Sequence, residues 1–340
     1  MSKRLLTRRA FLMTAAAGLA LAACRQAAPA ATTTPAASTE ATAAPAAATG
    51  DKPVIKLAEN PWTGSSVNVY VAKQLLEEKL GYTVEIITID ENAQWPAVSK
   101  GDLSAILEIW PSGETHQKGL KQYVEGDKTV ENLGELGVIG KISWYEPKYV
   151  VDEHPEAATW EGLKKPEIAA LFKTAESGDA GTFYAGDPSW VQYDEEIIKN
   201  LGLNFSVVRA GSEQAVLAAL DTAYSQKKAF LFYFWTPHSI HNKYELVPVQ
   251  LPEYTDACYA ADNEGKKACD YPKDVLFKVA NAKLKDTAPD AYALLKNLSY
   301  TDADQIAMIA DVELNKKSPA EAAKTWLAAH EDVWSKWLAK

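Results

Sequence analysis

Between Val54 and Phe234 the chain alternates short apolar runs with amphipathic stretches, and this alternation restricts the fold more than any other feature. Val54 to Ala58, Thr83 to Ile89 and Leu103 to Ile109 read as strands, separated by helices over Ser65 to Leu80 and Ala93 to Ser99. Strands connected through helices must run parallel, and short continuous apolar runs suit strands covered on both faces. A second unit of the same kind follows the segment Ile142 to Val151. Its strands are Thr182 to Ala185, Ser206 to Arg209 and Ala229 to Phe234, and its helices are Trp160 to Lys164, Pro166 to Phe172, Asp194 to Asn200 and Glu213 to Gln226. After Tyr244 to Gln250 the chain is expected to return to the first unit and finish in helices. The last of these is opened by the capping box Ser318-Pro319-Ala320-Glu321 and is expected to carry Trp326, Trp334 and Trp337. The expectation is an α/β protein of two lobes, each a mainly parallel sheet flanked by helices, with a cleft between them. Residues 51–148 and 251–340 form one lobe, and 149–250 the other.

The first fifty residues do not belong to that pattern. Lys3, Arg4, Arg8 and Arg9 precede the apolar run Phe11 to Ala22, which is shorter than the roughly 20 residues a spanning helix needs. Residues 1–23 therefore read as an export signal; Thr7-Arg8-Arg9-Ala10-Phe11-Leu12 fits either the twin-arginine or the general route. Leu21-Ala22-Ala23-Cys24 resembles the bacterial lipobox, which implies that the Cys24 thiol is acylated and becomes the mature amino terminus. Residues 24–50 are almost entirely Ala, Thr and Pro, with nothing to bury. Such a tether has an end-to-end distance on the order of 30 Å. The expected location is outside the cytoplasm, lipid-anchored at the outer face of the cytoplasmic membrane.

Removing residues 1–23 takes away four basic groups and no acidic ones, so the formal charge moves from -10 to -14. Phosphate backbones require clustered Lys and Arg, and an acidic domain of this kind is no nucleic-acid binder. With Cys24 acylated, Cys258 and Cys269 remain as a close pair that is expected to form a structural disulfide in an exported protein. Enzyme signatures are missing: there is no Gly-x-Ser-x-Gly, no His-Glu-x-x-His and no phosphate loop, since Gly134, Gly137 and Gly140 before Lys141 are wrongly spaced. His238 and His241 form only a loose His-x-x-His, so no metal site and no cofactor is expected.

Four of the ten tryptophans, Trp62, Trp110, Trp190 and Trp235, stand at or just past the ends of expected strands, two per lobe. Ligands of open α/β sheets bind beyond the carboxyl ends of the strands, so these indoles are candidates for one small site. A tryptophan after a strand can also simply cover the edge of a core. An aromatic box suits a quaternary ammonium, each ring contributing about 0.5 to 2 kcal/mol. A micromolar ligand needs about 8 kcal/mol, so a second anchor is required. The amides of Val191 and Gln192, near a helix start, are candidates to hold a carboxylate, and His238 is a candidate to donate a further hydrogen bond.

The segments Asn60-Pro61-Trp62-Thr63-Gly64, Gly101-Asp102 through Glu108-Ile109-Trp110-Pro111-Ser112-Gly113, Asp187-Pro188-Ser189-Trp190 and Trp235-Thr236-Pro237-His238 resemble the glycine betaine and choline substrate-binding proteins of ABC transporters. The resemblance extends over most of residues 52 to 340. It implies a two-lobed, periplasmic-binding-protein-like clamp in which Trp110, Trp190, Trp235 and, less closely, Trp62 cage the ammonium. It also implies that amides after Trp190, or a His, hold the carboxylate. The implied partners are a small quaternary ammonium solute, an ABC permease and, through it, the ATPase; uptake for osmoprotection or for nutrition stays open, and the protein is expected to be a monomer. Two departures stand out: Glu114, with His116 beyond it, occupies a position where some betaine binders have His, and Gly64 stands where choline-preferring relatives carry an acid. The latter favours betaine. Choline, carnitine and proline betaine remain open, with Glu59, Glu108, Glu114 or Asp187 available to offset a bare cation. A carbohydrate-binding lipoprotein or a choline-ester hydrolase are the rivals of other classes.

Overall fold

The computed structural model describes residues 52–338 except 191, 261, 262 and 264. The export signal, Cys24, the tether and Val191 lie outside the described residues.

The expected alternation is present. Strand β1 (Ile55–Glu59) leads into helix α1 (Thr63–Glu78), followed by β2 (Val84–Thr88), α2 (Glu91–Lys100) and β3 (Ala105–Ile109). Helix α1 buries Val67, Val71 and Leu75 at four-residue spacing, together with Ala72 and Leu76. Helix α2 starts at Asp90, whose side chain accepts the Asn92 amide, and ends at Gly101 with φ 88, a left-handed conformation that glycine adopts without a Cβ penalty. Strand β3 is buried at all five positions, as its continuous apolar run requires.

Two long strands do not follow from the reading above: β4 (Val130–Pro147) and β9 (Lys273–Asn281). With β5 (Gly181–Ala185), β6 (Phe205–Arg209), β7 (Leu231–Thr236) and β8 (Leu246–Pro248), they complete one nine-stranded sheet ordered β2-β1-β3-β9-β4-β7-β5-β6, with β8 also on β4. Pairs β1–β2, β1–β3, β5–β6 and β5–β7 are parallel. Strands β4 and β9 insert antiparallel between the two parallel sets. Residues 130–141 of β4 pair with β9, and Lys141 to Tyr145 pair with β7, so one strand serves both halves of the molecule. The chain thus has a mixed-sheet α/β fold, in which antiparallel β4 and β9 join two sets of parallel strands.

The core is divided accordingly. One cluster joins Leu57, Val71, Leu107, Leu136, Leu276, Leu294 and Trp326; another joins Trp144, Phe183, Ile197, Leu220, Phe232, Tyr259 and Tyr271. Trp110 packs against both, and Trp62, although it follows β1, belongs to the second. Cys258 and Cys269 are joined as a disulfide. The capping box at Ser318 is present, but the helix it opens ends at Ala329. Trp334 therefore lies in a separate turn of helix and Trp337 in a 3-10 turn, rather than on one last helix with Trp326. All three are buried, and Trp326 stacks on Trp337 at 5.8 Å.

Candidate functional site

Four chain segments deliver the tryptophans to one space. Trp62 occupies the position just before α1, Trp110 immediately follows β3, Trp190 lies five residues past β5, and Trp235 is the penultimate residue of β7. Together with Glu91, Ser112, Gly113, His116, Ile142 and Tyr233 they line one space. Trp190 stands edge-on to Trp62 (centroids 6.2 Å apart, 82° between planes) and to Trp235 (5.2 Å, 87°). Two glycines make these positions possible: a Cβ on Gly140 would fall 2.2 Å from the Trp110 ring, and one on Gly186 would fall 1.9 Å from Trp190.

Behind the rings, Glu108 organises the first-lobe side of the site. Its Oε1 accepts the indole N–H of Trp62 at 2.7 Å and of Trp110 at 3.0 Å. Its Oε2 accepts Asn68 Nδ2–H at 2.5 Å and Gln305 Nε2–H at 3.1 Å. Burial drives its pKa up to about 7 against the pull of these donors. One carboxylate oxygen thus holds the indole N–H groups of both Trp62 and Trp110.

The polar wall is built on the same lobe. His116 Nδ1 accepts the Trp95 indole N–H at 3.0 Å, which leaves the ring proton on Nε2, where it faces Glu91 Oε1 at 2.8 Å. The buried Glu91 carboxylate is therefore set against the cage by a histidine whose tautomer a tryptophan decides. Ser112 is held by Asp274, which accepts both its amide at 2.8 Å and its hydroxyl at 2.7 Å.

Of the expected carboxylate anchors, Val191 lies outside the described residues. Gln192 directs its Nε2–H to the Asp187 carbonyl and does not line the space. His238 is buried behind Trp235, with Nδ1 accepting the Ile240 amide and Nε2 against Glu213 Oε1, so both ring nitrogens are engaged away from the cage. Of the acids open to offset a cation, Glu59 accepts from Thr88, Asp187 from the Ser189 amide, and Glu114 pairs with Lys118. Glu91 was not among them. Tyr233 was legible in principle, because two residues before Trp235 on a strand means the same face. Glu91 and Ile142 carry no comparable signal, since only tertiary packing brings them to the tryptophans.

Residues 53–329 match the model of the substrate-binding domain of the ABC-type glycine betaine transport system. The chain belongs to this family. It is 29% identical over 297 residues to the trimethylamine N-oxide-binding protein of Pelagibacter ubique, covering 85% of this chain and 91% of that one. It is 24% identical over 276 residues to the glycine betaine/proline betaine-binding periplasmic protein of Escherichia coli, covering 77% and 82%. Among solved structures, it superposes on the closed lactococcal OpuAC complexed with glycine betaine at a TM-score of 0.64, with 22% identity over 85% of this chain and all of the other. It superposes on a choline-binding protein complexed with choline at 0.63, with 20% identity over 84% and 91%. Members of the glycine betaine transport family are extracytoplasmic solute receptors, not enzymes: they bind small quaternary ammonium compounds and work with an ABC permease. Among the described residues no helix is long and apolar enough to cross a membrane.

Proposed function

We propose that this receptor captures a compact trimethylammonium solute, glycine betaine first, inside the tryptophan cage and closes on it for delivery to its permease. The observation that carries this reading is the enclosure of one space by Trp62, Trp110, Trp190 and Trp235, the first two held by their indole N–H groups on Glu108. A desolvated cation gains about 2 kcal/mol over each indole, and a micromolar constant needs about 8. Trp190 Nε1 is buried with no acceptor among the described residues, which suits a ligand oxygen. Glycine betaine has such an oxygen beside its methylated nitrogen.

A second reading rests on the polar wall. Glu91 places a carboxylate where a ligand carboxylate would be repelled, and neither Gln192 nor His238 reaches the space. That arrangement favours a methylated nitrogen compound without a carboxylate, such as choline or the trimethylamine N-oxide bound by the 29% identical relative. Isothermal titration of the domain from residue 51 onward with glycine betaine, choline and trimethylamine N-oxide separates the readings. Tight binding of betaine with weak binding of the others supports the first, the reverse order supports the second, and binding of none returns the tryptophans to a packing role.

In this proposal the lobe boundary falls later than residue 250. Leu251, Tyr259, Cys269 and Tyr271 pack in the second core, whereas Leu276 packs in the first, so the returning crossing is placed near Lys273. The chain is further proposed to be exported as a monomer, to be acylated at Cys24 and to be tethered by residues 24–50 at the outer face of the cytoplasmic membrane. Metabolic labelling with a fatty-acid analogue, lost in Cys24→Ala, tests the anchor.

A further inference from the structure

Glu213 lies outside the cage yet holds the chain on both sides of it. Helix α1 begins directly after Trp62 with no side-chain cap of its own and no acidic residue in its first turn. The amide at such a helix start needs an acceptor. It finds one on the other lobe: Oε2 of Glu213, the first residue of the helix Glu213–Ser225, accepts the Thr63 amide at 2.7 Å and lies 3.0 Å from the Thr63 hydroxyl. Oε1 of Glu213 lies 2.8 Å from His238 Nε2. Because His238 Nδ1 accepts the Ile240 amide at 3.2 Å, the imidazole proton sits on Nε2 and is donated to Glu213. His238 in turn packs edge-on against Trp235, with centroids 5.5 Å apart. One buried carboxylate thus ties the residue after Trp62, in one lobe, to the residue backing Trp235 in the other.

We infer that Glu213 is a positioning residue that latches the closed cleft and sets how long a ligand stays in the cage. The inference rests on the solute-cage reading above. A buried carboxylate is tolerated only when charge and donors meet it, and here they come from an amide at a helix amino terminus and an imidazole N–H. Thr63 and Glu213 sit on different lobes, so opening the cleft breaks their bond and exposes both groups to water. Closing it restores the bond and presses Trp62 against Trp190. The Thr63 hydroxyl has one proton and lies between Glu213 and Glu313, whose Oε1 is 2.5 Å away. The amide, which no Thr63 substitution removes, is therefore the dependable half of the contact, and Glu213 is the residue to change.

The test uses the domain from residue 51 onward as wild type, Glu213→Gln and Glu213→Ala. Glycine betaine and choline are the probes, stopped-flow tryptophan fluorescence gives the dissociation rate, and small-angle scattering gives the radius of gyration with and without ligand. The expected result for Glu213→Ala is dissociation faster by about tenfold or more and a more open ligand-free form. Glu213→Gln should fall in between, because its amide oxygen retains one acceptor. Wild-type dissociation and wild-type compactness in both variants would overturn the latch, as would weakened binding with both of these unchanged. If the wild-type domain binds neither probe, the solute reading has failed, and the ligand-free scattering comparison alone decides the latch. If Glu213→Ala does not fold, Glu213→Gln decides by the same criteria.

Discussion

Trp62 and Trp190 come from opposite lobes and meet edge to face, their centroids 6.2 Å apart and their planes at 82°. Rings at right angles form a corner, and a corner offers a trimethylammonium group contact on two sides at once. Trp235 extends that corner from the second lobe at 87° to Trp190, and Trp110 closes the first-lobe side. The geometry needs both lobes to be in place, which ties ligand contact to closure.

Removing a ring from the corner should be costly. Trp190→Ala and Trp235→Ala are each expected to weaken glycine betaine at least tenfold, the loss that about 1.4 kcal/mol produces. Calorimetric titration measures it, and unchanged affinity in both variants would remove the cage assignment.

Glu108 makes binding and stability respond to pH in opposite directions. Its four partners are all donors, so a proton on the carboxyl must displace one of them, and two are the cage indoles. Affinity is expected to be flat above pH 8 and to fall below its pKa of about 7. Stability runs the other way. The folded-state pKa lies above the ordinary value of 4.5, so protonation favours the fold; that contribution is full below about pH 4.5 and is lost as pH rises through 7. Its size is roughly 3 kcal/mol at one pH unit per 1.36 kcal/mol. Burial also raises the pKa of Asp194 to about 6 and of Glu146 to about 8, which adds in the same sense. Melting of the ligand-free domain between pH 5 and pH 8.5, beside titrations at the same values, tests both signs; stability that rises with pH would contradict the buried-acid account.

Glu91 should act on ligand choice more than on affinity overall. Glu91→Gln removes the negative charge from the cage wall while keeping an acceptor for His116. A bare cation loses more than a zwitterion, so choline is expected to weaken several-fold relative to glycine betaine. An equal change for the two ligands would mean that the charge does not face the bound nitrogen.

The Cys258–Cys269 bridge closes a short loop of sequence separation 11. The chain-entropy relation gives about 3 kcal/mol for a loop of this size, or about 5 °C in melting temperature for a domain near 290 residues. Reduction with dithiothreitol should lower the melting temperature by that amount and leave ligand affinity unchanged, because neither cysteine lines the cage. Loss of binding on reduction would give the loop a part in closure.

The parallel units were legible because their strands are continuous apolar runs between amphipathic helices, and local pattern suffices for those. Strand β4 was not. Its sequence places Gly134, Gly137 and Gly140 at intervals of three, out of step with a strand's period of two, and two of them adopt positive φ at 92° and 94° where the register with β9 shifts. A strand broken by bulges carries no simple period, and its existence depends on β9 and β7 lying on either side. The same limit applied to Trp334, which the residue spacing placed on the last helix although the chain turns at His330.

What the amino-acid order determined by itself is the class of fold and the delivery of four indoles to the ends of four strands, because both are encoded in neighbouring residues. Which groups face those indoles was decided by tertiary structure. Glu91 and His116 are 25 positions apart and meet only because α2 packs against the short helix Glu114–Gly119 that follows Trp110. Glu213 reaches Thr63 across 150 positions, a contact that no local pattern announces. A carboxylate's role depends on which donors surround it: for Glu91 and Glu213 they arrive from distant parts of the chain, and for Glu108 all but the neighbouring Trp110 do.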